Sequence, residues 1–134
     1  MSIIYPELTE VQLSALPSQA EAKVYRALRD GLQQDFVVFF QVGWILRREE
    51  GQAMDGETDF VVCHQDHGYV CIEVKGGGVG FDPINGEWFS VDRNNTKHVI
   101  KNPYNQALKA KYSIRSKLSE NYRWRELSFV NVLM

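Results

Sequence analysis

Cysteine is scarce in this chain: Cys63 and Cys71 are its only two, with no Cys-x-x-Cys pair and no Cys/His metal spacing. That leaves no basis for a thiolate metal centre. The start, Met1-Ser2-Ile3-Ile4-Tyr5-Pro6-Glu7, lacks the basic opening and long apolar run of a signal peptide. No stretch approaches the roughly 20 apolar residues of a membrane span, so no membrane role is expected. Without an export signal the two thiols read as reduced core residues of a cytoplasmic protein. Internal repeats and low-complexity tracts are absent as well. What remains is a chain of 134 residues, 44% hydrophobic and 24% charged, long enough for one domain with a real core.

Two segments carry the chemistry. Gly56-Glu57-Thr58-Asp59-Phe60-Val61-Val62 and Val70-Cys71-Ile72-Glu73-Val74-Lys75 are apolar strand patterns interrupted by charge, and Gln65-Asp66-His67-Gly68 between them has turn chemistry. Pairing His64 with Tyr69 sets Asp59 almost opposite Glu73. Alternation along strands then puts Asp59, Val61 and Cys63 on one face with Cys71, Glu73 and Lys75. Carboxylates this close repel unless a cation lies between them, and Mg²⁺ takes such hard oxygen ligands. The plainer alternative is a turn-capping Asp and a solvated Glu–Lys pair. Against it, Glu73 and Lys75 lie within a run of Val, Cys, Ile and Val, where charge is costly unless paired or liganded. Gly76-Gly77-Gly78 follows, either baring the backbone beside the site or simply bending the chain.

The net charge of −2 hides a polarity. Residues 1–92 carry six basic residues against fifteen acids, whereas residues 93–134 carry nine against two. A basic segment beside a carboxylate site suits a polyanion, although a solvated Lys-rich helix face is the equal alternative. Lys97, Lys101, Lys109, Lys111 and Arg115 are the candidate nucleic-acid contacts. Trp124, Tyr104, Tyr112 and Tyr122 add possible stacking surfaces, or core.

The pattern predicts an irregular arm over 1–16, a helix from Pro17-Ser18 to about Leu32, and a strand from Phe36 to Val42 extendable to Leu46. A polar loop over 47–56 and the two charged strands follow. Asn85-Gly86 predicts a type I′ hairpin within 79–92, with Pro83 holding its first arm at an edge. Asn102-Pro103 opens a helix through about Leu118, and Leu127–Leu133 reads as a last strand. Ser18-Gln19-Ala20-Glu21 matches a capping box, which alone would explain Glu21. Yet Glu21 shares a stripe with Val24, Tyr25, Leu28 and Leu32 that should meet the sheet, so a site role is the alternative. Gln106 lies on the stripe of Ala110, Ile114 and Leu118, where a hydrogen bond to nearby backbone would suffice.

Taken in order, Ser18-x-x-Glu21, Gly56-Glu57-Thr58-Asp59, Ile72-Glu73-Val74-Lys75-Gly76, Trp88 and Asn102-Pro103-x-x-Gln106 resemble the nuclease-related domain (NERD) family. That family belongs to the PD-(D/E)xK nuclease-like superfamily, and the resemblance spans residues 18–134. It implies an α/β fold: a central mixed β-sheet flanked by helices, the restriction-endonuclease-like core, here with an inserted β-hairpin. It also implies a site of Glu21, Asp59, Glu73, Lys75 and Gln106. Ala20 departs from the Gly that relatives often have, a matter of helix packing. Relatives are often joined to helicase, kinase or zinc-finger segments. The apolar end at Phe129–Met134 reads as a truncation, so a domain of a longer protein is expected.

The expected activity is hydrolysis of nucleic-acid phosphodiesters, DNA more than RNA, in DNA processing or repair. Asp59, Glu73 and the Val74 carbonyl would hold Mg²⁺ or Mn²⁺, with Glu21 on a metal water. Lys75 would stand beside the nucleophilic water and Gln106 would orient Lys75 or the phosphate. The rival is a catalytically weak nucleic-acid or protein binding module on the same fold. A carboxylate-pair glycosidase needs one protonated acid in an apolar pocket, which a nearby Lys opposes.

Overall fold

The computed structural model describes residues 1–47 and 53–120. The chain runs β1 (Ile3–Tyr5), α1 (Glu10–Ser14), α2 (Gln19–Gly31), β2 (Phe36–Arg47), β3 (Ala53–His64), β4 (Gly68–Ile72), β5 (Gly78–Asp82), β6 (Glu87–Val91), β7 (Lys97–Ile100) and α3 (Pro103–Ser119). Four strands form a mixed sheet in the order β1-β2-β3-β4, with β1 parallel to β2 and the other pairs antiparallel. Strands β5-β6-β7 form a second, antiparallel sheet. This is the expected α/β architecture. The predicted strand over 127–133 lies outside the described residues. No helix among the described residues is long and apolar enough to cross a membrane.

Alternation divides the main sheet into two faces. Val38, Phe40 and Phe60 are buried with Leu13 of α1 and Ala22 and Tyr25 of α2, and Ile4 of β1 closes the cluster. Phe40 meets Tyr25 edge-on at 5.5 Å and Phe60 at 4.9 Å, so aromatic contact locks α2 onto the centre of the sheet. The other face carries Val61, Tyr69 and Cys71 toward α3, whose Lys111 carbonyl accepts from the Tyr69 hydroxyl at 2.6 Å. Burial against this layer pushes the Cys71 thiol up to about 11, and raises that of Cys63 too.

Several expectations are corrected. The arm is not irregular: Ile3–Tyr5 pairs with Val37–Phe39, and Thr9 with Gln12 forms a capping box that starts α1. The loop predicted over 47–56 is shorter, because β2 runs through Arg47 and β3 begins at Ala53. His64 pairs with Gly68 and not Tyr69. The second hairpin has a four-residue loop, Pro83–Gly86, in place of a type I′ turn. The Asp82 carboxylate accepts from the Ile84 and Asn85 N–H groups, and of the two turn residues only Gly86 has positive φ, at 66°. Pro83 falls in that loop rather than in the edge strand β5. A third strand, β7, pairs with β6.

Candidate active site

The charged residues gather where β4 ends. The sequence pattern carries the strand on to Lys75, but regular pairing stops at Ile72. The cause is Asp59: its Oδ2 accepts the Val74 N–H at 2.7 Å, replacing a ladder bond with a side-chain bond. The observed register, extended by one position, sets Asp59 level with Glu73. Lys75 Nζ lies 3.1 Å from Glu73 Oε1, with the Glu73 side chain only 12% exposed. A half-buried ion pair at a strand end is thus built from residues two apart, on the face that carries α3.

Glu21 approaches from α2. Ser18 Oγ caps the helix by accepting the Glu21 N–H at 3.3 Å, but the reciprocal half of the predicted capping box does not form. The Glu21 carboxyl lies instead close enough to Asp59 for the two to share a proton. Burial pushes Glu21 up to about 7, and the Asp59 hydrogen bond and charge, then Glu73 and Glu57, push the same way. Glu73 is also raised, by burial first and by Asp59 next, with the Lys75 ion pair opposing. Three carboxyls crowded beside one lysine form a site short of positive charge.

The glycine run is explained by close packing. A Cβ on Gly76 would stand 3.1 Å from the Ala20 methyl, so the residue before Glu21 is where α2 touches the segment leaving the site. Gly77 has φ +76° and faces the Val91 carbonyl, which a side chain would meet at 3.0 Å.

Gln106 is half-buried on the inner stripe of α3, above Ala110 and Ser113. Its Oε1 is buried without a hydrogen-bond partner, so neither a backbone N–H nor the Lys75 ammonium donates to it. An unpartnered buried amide oxygen is costly unless something else supplies a donor. Of the basic candidates, Lys111 and Arg115 lie one helical turn apart, near enough to Cys71 and Tyr69 of β4 to influence their ionisation. Lys97 stands over the Phe89 ring at 4.2 Å, while Lys101 and Lys109 are exposed.

Two further features border the site, the first with no usable sequence signal. Gln41, level with Asp59 on β2, has φ +53°, a backbone state that non-glycine residues rarely adopt. A cavity of about 420 Å³ adjoins Glu73 and Lys75 and is walled by Trp88 and Tyr104.

Among the described residues no three His, Cys, Asp or Glu side chains form a ready-made metal cage. The donors that do converge are carboxylate oxygens in a crowded, electron-rich cluster. They suit a hard cation that keeps several waters and binds through one or two carboxylates, and do not suit zinc or copper. Val74, the predicted carbonyl ligand, is anchored through its N–H to Asp59.

Residues 17–132 match the family model of the nuclease-related domain. The chain matches no curated protein and no solved structure.

Proposed function

The chain belongs to the nuclease-related domain family, and from that membership and the cluster at the end of β4 we propose that it hydrolyses nucleic-acid phosphodiester bonds, DNA in preference to RNA. The observation that carries this reading is the 3.1 Å Glu73–Lys75 ion pair beside Asp59, in a site where burial first and the neighbouring carboxyls next raise Glu21 to about 7. Such a cluster favours an incoming divalent cation, which relieves its imbalance and would let an anionic phosphate approach.

Asp59 and Glu73 are the residues that would hold Mg²⁺ or Mn²⁺, with the Val74 carbonyl as a further hard donor. When bound, the cation supplies Lewis acidity to a phosphate oxygen and stabilises the leaving oxygen. Lys75, fixed by Glu73, offers its ammonium to the charge that grows on phosphorus-bound oxygens and lowers the pKa of a neighbouring water. Glu21 holds a proton next to Asp59 and can orient or accept from a water there. Gln106 presents a free amide oxygen that Lys75 or a water can satisfy.

One observation favours a second reading. The lack of a three-ligand cage among the described residues is what a binding module with weak turnover would show. Cleavage of labelled linear, circular and single-stranded DNA separates the two. With Mn²⁺ or Mg²⁺ the parent cuts, EDTA abolishes cutting, and Glu73→Ala and Lys75→Ala each lose at least about 100-fold in rate, as loss of one electrostatic stabiliser does. Cleavage by Glu73→Ala at the parent's rate would sink the mechanism. Binding without cleavage in every condition would establish the module.

A further inference from the structure

The cavity beside Glu73 and Lys75 has two unlike walls. One is the charged pair itself; the other is built from Val79, Trp88, Tyr104 and Ala107. Trp88 stands at the centre of a row of rings, 5.3 Å from Phe81 and 5.5 Å from Tyr104. The row is not core: Phe81 is 48% and Tyr104 73% exposed. Exposed apolar residues scattered singly need no explanation, but a contiguous aromatic row opening into a cavity does. At about 420 Å³ the cavity falls within the roughly 300–1,000 Å³ span of small-molecule sites.

The elements around it fix this geometry. Trp88 pairs with Phe81 on one side and Ile100 on the other, so the second sheet carries the platform. Tyr104 is placed by the start of α3, where Asn102 Oδ1 accepts the Tyr104 and Asn105 N–H groups. Lys101, exposed, joins β7 to that helix start. The cavity thus sets an aromatic wall for a base beside the Lys75 ammonium, the one cation in its lining among the described residues, for the neighbouring phosphate.

We propose that Trp88 and Tyr104 form a stacking subsite for one unpaired base of a single-stranded nucleic acid, holding the adjoining phosphodiester at Glu73 and Lys75. The cleavage half of this statement rests on the nuclease reading; the binding half does not. A base within a duplex shows only its edges, so entry into a cavity that offers ring faces requires the base to be splayed out. That costs least for strands already unpaired. Stacking tolerates any base, so preference here is for strandedness and not for sequence.

The test is binding of a fluorescein-labelled mixed-sequence 12-nucleotide DNA, single-stranded and as a duplex, to the full chain in EDTA, where no cutting intrudes. Tyr104→Ala alters a largely exposed ring and leaves the backbone cap in place. It weakens single-strand binding about 10-fold, while Tyr104→Phe binds as the parent and duplex affinity moves less than 2-fold in either variant. Trp88→Leu repeats the loss, with circular dichroism confirming its fold. Unchanged single-strand affinity in Tyr104→Ala overturns the subsite, as does an equal loss on duplex. Cleavage assays on the same variants keep the two claims apart. A parent that cuts while Tyr104→Ala binds normally refutes the subsite alone. A parent that never cuts but loses binding in Tyr104→Ala retains the subsite and refutes the nuclease.

Discussion

Tyr25 has no exposed surface, and its hydroxyl joins stretches of chain that helix packing alone would leave apart. It donates to the Pro6 carbonyl at 2.6 Å and accepts the Leu8 N–H at 2.9 Å. Tyr25→Phe keeps the ring against Phe40 but strands both backbone groups, which costs about 2 kcal/mol. Urea unfolding should show that loss as a lower midpoint at unchanged slope; a shift under about 0.5 kcal/mol would mean water replaces the hydroxyl. Asp92 works differently, at the surface. Its carboxylate bonds His98 Nε2 at 2.8 Å and accepts the Thr96 and Asn94 N–H groups, each at 2.9 Å, which together hold it below its ordinary 3.8. A depressed carboxylate stabilises the fold fully above its unfolded value and loses that contribution as pH falls through the folded one. Asp92→Ala should therefore melt earlier than the parent at pH 6, with the two melting temperatures drawing together as pH falls below the ordinary carboxylate range. Persistence of the gap in acid would assign the effect to turn geometry and not to charge.

Elements differ in how openly the sequence declares them. Both long helices announce themselves through local chemistry: Ser18 caps α2, and Asn102-Pro103 starts α3. Asn102→Ala should cost about 1 kcal/mol and, by loosening the turn that presents Tyr104, lower protection of the first α3 amides in hydrogen exchange. If protection there is unchanged, packing against the second sheet holds the helix start by itself. The strands are less legible because their limits are set at long range. The run to Lys75 reads as continuous strand until Asp59, far back in sequence, takes the Val74 N–H. The β1 segment is too short to declare a parallel partner more than thirty residues away, and Lys97-His98-Val99-Ile100 is too polar to announce β7. Asn85-Gly86 misleads since Asp82 and Pro83 reset the turn. The carboxylates of Asp59 and Glu73 were legible because strand alternation carries their placement. The approach of Glu21 to Asp59 was not, as the same spacing fits a capping box, and nothing local marks the backbone of Gln41.

Across the whole molecule the charge is divided, and the fold gives that division a direction. Tyr69, Cys71 and Glu73 succeed one another along one face, and Lys111 and Arg115 of α3 lie beside the first two. Two positive charges therefore lie beside β4 on the side away from the carboxylate cluster, and the proposed function would run a phosphate backbone past them. Phosphate contacts release counterions, so each one steepens the fall of affinity with salt by about one unit of logarithmic slope. Arg115→Glu should weaken DNA binding several-fold at about 0.1 M salt and flatten that slope, whereas Lys23→Glu, exposed on α2, should change neither. The comparison is read from affinities over a salt series without divalent ions, in single strands and duplexes alike. Equal effects of the two reversals would mean that overall charge alone attracts the polyanion and that these two charges set no path. A change confined to Arg115 places the strand along β4, which runs it past the end where Glu73 and Lys75 stand.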